Sequence, residues 1–151
     1  MRLERLLCSW FGAGLIKPAP GTWGSAAALP FGWLIWWRGG PVALGIAAIV
    51  VFLIGWWASE RIVRKDGLED PGWVVIDEVA GQWLTLLFTS PSLPGYLAGF
   101  ALFRLFDIWK PWPVSWADQR IKGGLGIMLD DVLAGLMGLI VLTLLQWIGL
   151  P

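Results

Sequence analysis

The chain has 151 residues, of which 57% are hydrophobic and only 15% charged, with eleven acids balancing eleven bases. A soluble domain of this length carries about a quarter charged residues, so so few charges point to a membrane protein. The zero net charge argues against a nucleic-acid partner, the lone Cys8 excludes a disulfide framework, and the lack of histidine weighs against a zinc site.

At the N-terminus, Arg2 and Arg5 lead into "LLCSWFGAGL". This apolar part is short and lacks a small-x-small cleavage site, so an amphipathic interfacial helix is expected rather than a cleaved signal. Residues 18–37 are uncharged, with a helix expected from about Gly24 after "KPAPGTWGS". Residues 39–59 are long enough to cross a hydrocarbon core of roughly 30 Å. Residues 79–103 are also uncharged, but "SPSLPG" interrupts them with two prolines and a glycine. That pattern predicts a helical hairpin over 73–89 and 95–109. The last span runs from 132 to the C-terminus and is entered near Ile127. The expected fold is an all-α, polytopic integral membrane helical bundle with about five transmembrane helices, a short amphipathic N-terminal helix and one domain over 1–151.

Alternating five spans puts Arg2, Arg5, Lys17, Arg61, Arg64, Lys65, Arg104, Lys110, Arg120 and Lys122 on one side, with Arg38 opposite. The positive-inside rule assigns the richer side to the cytoplasm. The acids gather there too. Asp77 and Glu78 are expected about one turn inside the third helix, Asp107 in the last turn of the fourth, and Asp130 and Asp131 about one turn inside the fifth. Three helices thus bring carboxylates to one depth. "DEVAG" (77–81) and "DVLAG" (131–135) echo each other, and their small residues would let the third and fifth helices approach closely.

Acids near membrane depth are costly and mark functional sites. Several together require protons, bases or a metal. Oxygen-only donors suit Mg²⁺ best, with Mn²⁺ or Ca²⁺ as alternatives. The plainer alternative is a set of solvated helix ends favoured by the helix dipole. Two glycine-bearing loops, "KPAPGTWGS" and "KGGLGIM", enter helices on the acidic face, with Lys17 and Lys122 at their mouths. Backbone N–H groups at such helix starts are ready for anions. In "FDIWKPWP" (106–113), Asp107 and Lys110 stand three apart before two prolines that stop the helix, and Trp109 and Trp112 are expected at headgroup level.

"PGTWGS", "IDEVAGQW", "FRLFDIWKPWP" and "GGLGIMLDDVLAG" resemble, in order, the motifs of the bacterial phosphatidylglycerophosphatase A family, across residues 16–138. The resemblance implies a Mg²⁺-dependent phosphatase of the bacterial cytoplasmic membrane, facing the cytoplasm. Its substrate would be the phospholipid phosphatidylglycerophosphate, converted to phosphatidylglycerol ahead of cardiolipin synthesis. On this reading Asp77, Glu78, Asp107, Asp130 and Asp131 hold one or two Mg²⁺ ions, with Asp77, Asp107, Asp131 and Lys110 in catalytic roles. Lys110, Arg104, Lys17, Lys122 and Thr22 would bind the substrate phosphate. Water attack and a phospho-aspartate intermediate both stay open. Cysteine- and histidine-phosphatase chemistry is excluded by the residues present. Two rivals remain at this stage: a small transporter or channel with an acidic cation site, and a non-catalytic membrane subunit.

Overall fold

The computed structural model describes residues 2–150. It contains α1 (Leu3–Cys8), a 3-10 turn (Ala13–Leu15), α2 (Pro20–Asp66), α3 (Ile76–Thr85), α4 (Leu93–Trp109), α5 (Val114–Arg120) and α6 (Gly123–Trp147). No strand occurs among the described residues.

Two helices, α2 and α6, are long and apolar enough to cross a membrane. A straight helix of the 47 residues of α2 would measure about 70 Å, more than twice the hydrocarbon thickness. It does not run straight. Gly40 (φ 64°, ψ −160°) breaks it into limbs at 20–39 and 41–66. Glycine tolerates that positive φ, and the following Pro41 disfavours helical backbone at the residue before it. The limbs fold back: Gly24 near the start of the first packs on Val75, and Gly55 in the second packs on Ile76 and Met128.

The third expected span is shorter than the sequence suggests. Its helix is not 73–89 but the ten residues of α3, about 15 Å long, and α4 reaches about 25 Å with 17 residues. α3 starts late because the preceding turn is tied to the N-terminal region, with Val75 N–H donating to the Cys8 carbonyl at 2.7 Å. Cys8 itself is fully buried, its Sγ 3.6 Å from Ser59 Oγ, so the short α1 is locked onto the bundle. α6 starts earlier than expected, at Gly123, because Glu60 Oε2 accepts from Gly124 N–H at 2.8 Å and completes the helix start. Asp130 and Asp131 therefore lie about two turns inside α6 rather than one.

α3 and α6 run side by side with 81 opposite 135. A Cβ on Gly135 would stand 2.9 Å from Gly81 Cα, and a Cβ on Gly81 would stand 2.5 Å from the Asp131 carbonyl oxygen. The "DEVAG"/"DVLAG" echo is this crossing, with backbone on backbone. Thr85 Oγ1 lies 3.1 Å from the carbonyls of both Gly81 and Gly135 and seals it. At the far end, Gln146 Nε2 donates to Thr89 Oγ1 at 3.2 Å, so the chain after α3 reaches the level of the last turn of α6.

The bundle is apolar outside as well as inside. Val42, Ile46, Ile49 and Leu53 on α2, and Ile140 and Leu144 on α6, are all more than half exposed. Facing water, such stripes would cost roughly 25 cal/mol per Å² of apolar surface; facing lipid they cost nothing comparable. Trp109 and Trp112 are 68% and 77% exposed at the α4 end, where an interface-seeking indole would sit.

Candidate active site

Helix α3 presents Asp77 and Glu78 in its first turn, and α6 presents Asp131 alongside. One carboxylate oxygen from each lies within 4.8 Å of the others. Asp77 Oδ1, Glu78 Oε2 and Asp131 Oδ2 are buried and have no hydrogen-bond partner among the described residues. At an effective dielectric of about 20, each ionised pair at this separation repels by about 3.5 kcal/mol. A charged trio so placed is stable only with protons or a cation. The donor set is all hard oxygen, converging and otherwise unpaired, which fits a divalent ion of the Mg²⁺ type.

Asp107 and Asp130 were expected to join this set, and the structure gives each a cation instead. Asp107 accepts from Arg104 on the same face of α4. Asp130 Oδ2 accepts from Lys110 Nζ at 2.9 Å, and Asp130 Oδ1 accepts from the Asp131 N–H at 3.1 Å. Lys110 also donates to Asp118 Oδ1 at 2.6 Å. Burial alone would lower the Lys110 pKa, but the bonds to Asp118 and Asp130 outweigh it and hold the ammonium above the usual lysine range. The Asp107–Lys110 pair that the three-residue spacing suggests does not form.

Arg104 bridges the halves of the site. Its Nη1 lies 3.8 Å from Glu78 Oε1 as well as against Asp107, and its side chain is only 15% exposed. The start of α2 packs on this corner. A Cβ on Gly21 would stand 3.1 Å from Arg104 Nη1 and closer still to Glu78 Oε1, so a larger residue in the "PGTWGS" segment would push the Glu78 and Arg104 side chains aside. Thr22 is half-buried in that turn, its N–H donating to the Ala19 carbonyl at 3.0 Å.

Lys17 and Lys122 are exposed. Lys122 borders a cavity of about 260 Å³ together with Asp70, Asp118 and Asp130. The N–H of Gly124 in "KGGLGIM" is engaged by Glu60, so part of the anion-binding capacity expected of that helix start is used internally. Asp118 and Glu60 were not singled out from the sequence; each lies in a segment with no glycine loop or neighbouring acid to mark it. Gln82, one turn after Glu78, is fully buried with both amide atoms unpartnered, and its place in "IDEVAGQW" was its only signal.

Comparison with known proteins identifies the family of the chain. The phosphatidylglycerophosphatase A family model matches residues 6–146. Phosphatidylglycerophosphatase A of Escherichia coli (strain K12) is 39% identical over 136 residues, covering 87% of this chain and 77% of that protein. The Haemophilus influenzae protein of the same name is 41% identical over 143 residues, covering 94% and 88%. A Bacteroides thetaiotaomicron protein, provisionally named a phosphatidylinositol-3-phosphatase, is 38% identical over 160 residues, covering 97% and 95%. No solved structure matches. A family match over nearly the whole chain, with the carboxylates and Arg104 brought together inside it, shows that the chain belongs to the phosphatidylglycerophosphatase A family.

Proposed function

We propose that this chain is a membrane-embedded lipid phosphatase, a single domain that hydrolyses phosphatidylglycerophosphate to phosphatidylglycerol and inorganic phosphate. The observation that carries the reading is the trio Asp77, Glu78 and Asp131, with one buried, unpartnered oxygen each, beside Arg104 at the charged end of an apolar bundle. The names of the E. coli and H. influenzae relatives support the substrate, and that of the B. thetaiotaomicron relative supports the wider class, a phosphomonoester on a lipid headgroup.

Asp77, Glu78 and Asp131 are the residues that would hold Mg²⁺. When bound, the ion supplies positive charge that polarises a phosphoryl oxygen and favours attack by water. The chain's own groups do the rest. Arg104 offers guanidinium N–H donors to the phosphate, where charge develops on its equatorial oxygens. Asp107, steadied by Arg104, would orient the attacking water or take its proton. Lys110 has three N–H donors and spends two on Asp118 and Asp130, so one remains for a phosphate oxygen. Thr22, next to the Gly21 that packs on Glu78 and Arg104, would offer its hydroxyl to the phosphate, and exposed Lys17 and Lys122 would attract the anionic headgroup.

The decisive measurement is phosphate release by detergent-solubilised protein, with and without EDTA. Turnover of phosphatidylglycerophosphate is expected to vanish on chelation and return with Mg²⁺, and phosphatidylinositol 3-phosphate assayed in parallel is expected to turn over more slowly. Undiminished turnover after rigorous chelation refutes the metal; no release from either lipid refutes the phosphatase and favours a transporter or a non-catalytic subunit.

The five-pass topology is part of the same proposal. On this reading the two limbs of α2, α3 with the turn after it, α4 and α6 would cross in alternating directions, with Lys65 and Lys122 at one end and Arg38 at the other. The basic excess assigns the first end to the cytoplasm of a bacterial inner membrane. Single cysteines at 65 and 122, in a Cys8→Ser background, are expected to be labelled from the same side and one at 38 from the opposite side. Labelling of 65 and 122 from different sides would overturn this topology.

A further inference from the structure

We propose that Asp118, on the short helix α5, is a positioning residue that clamps Lys110 in the orientation the phosphate needs. The inference rests on the phosphatase reading above and extends it to a residue outside the carboxylate trio. α4 ends at Lys110 in a left-handed conformation (φ 50°), with the Lys110 N–H donating to the Phe106 carbonyl at 2.9 Å. That turn, followed by Pro111, carries the lysine side chain away from Asp107, which Arg104 occupies. Val114 and Ala117 anchor α5 in the core, and Asp118 follows them, half-exposed, against the ammonium. Lys110 Nζ thus sits between Asp118 Oδ1 at 2.6 Å and Asp130 Oδ2 at 2.9 Å.

An unrestrained lysine has four rotatable side-chain bonds, and ordering it on substrate binding opposes the reaction. Two carboxylates from two different helices order it beforehand and leave one N–H free. Asp130 alone fixes one direction; Asp118 supplies the second point that sets where the free N–H aims. An ordinary surface ion pair would contribute almost nothing. Here the second acceptor is buried Asp130, and the lysine is only 31% exposed.

Asp118→Asn is suited to the test because the side chain is 38% exposed, so the change opens no cavity. In a wild-type background it is expected to lower kcat/KM about tenfold. In a Lys110→Met background it is expected to change kcat/KM less than about twofold, since its only route to the substrate is gone. Asp118→Glu should recover part of the loss. Equal losses in both backgrounds would mean a merely structural role and overturn the proposal. A readout free of turnover is the rate at which acetic anhydride acylates Lys110, followed by mass spectrometry: several-fold faster in Asp118→Asn is expected, and an unchanged rate overturns the clamp. If the wild-type protein releases no phosphate from either lipid, the phosphatase reading falls and with it the catalytic consequence, while the acylation rates still decide whether the clamp exists.

Discussion

Replacing Asp131 with asparagine is expected to lower turnover at least about a hundredfold while making the metal-free protein more stable. Asp131 is 3% exposed, and its Oδ2 has no partner. Asparagine keeps the shape and removes the charge. Losing one anionic donor of three weakens the hold on a divalent ion and leaves the developing phosphate charge less well compensated, an effect of about two orders of magnitude for a single key electrostatic group. Without metal the three carboxyl groups coexist only by taking up protons, which opposes folding at neutral pH, and asparagine removes that cost for one of them, so thermal unfolding without metal should move upward. The rise in unfolding temperature that Mg²⁺ produces should shrink correspondingly, because that rise reports binding to the folded state alone. Three measurements check it: kcat and KM across a Mg²⁺ titration, the unfolding midpoint in EDTA, and the midpoint in excess Mg²⁺. Near-wild-type turnover, or a lower midpoint in EDTA, would remove Asp131 from the proposed metal site.

Gly135→Val is expected to cost the bundle about 3 kcal/mol or more and to abolish activity with it. Overpacking a tight core commonly costs about 1–3 kcal/mol, and here the neighbour is backbone, which cannot turn aside. The first added carbon would stand 2.9 Å from Gly81 Cα, so α3 and α6 must separate. Asp77 and Glu78 ride on one of those helices and Asp131 on the other, so separation opens the 4.8 Å cluster. Leu136→Val, one residue on and facing outward, should leave both stability and turnover near wild type. Thermal unfolding in detergent and phosphate release, measured on both variants, test the pair of claims. An active, stable Gly135→Val protein would show that the crossing is not what assembles the site.

Much of this is written in local signals. Gly40–Pro41 ends one limb of α2 and starts the next because neither residue favours a continuous helix there, and "SPSLPG" separates α3 from α4 for the same kind of reason. That Asp77 and Glu78 meet Asp131 was suggested by counting turns on apolar helices, although the count put Asp131 one turn too near the start of its helix. The late start of α3 was not visible, because it depends on the Val75 N–H finding the Cys8 carbonyl 67 positions earlier. The early start of α6 depends likewise on Glu60, 64 positions before Gly124.

The sequence by itself determined a membrane-embedded all-helical chain, one acidic and basic end, and a carboxylate cluster of the kind that holds a hard divalent cation beside phosphate. Those properties come from composition, spacing and the types of donor atom, and each is set within a few residues. Only the tertiary structure decided which acids meet. Arg104 takes Asp107 and Lys110 takes Asp130, leaving Asp77, Glu78 and Asp131 with oxygens unpaired. The choice turns on a left-handed residue at the end of α4, on α5 placing Asp118, and on two glycines that let α3 and α6 touch. The Arg104–Asp107 pair lies within one helix, three residues apart, but the Lys110–Asp130 pair and the meeting of Asp131 with Asp77 and Glu78 depend on distances between helices, which no spacing along one helix can specify.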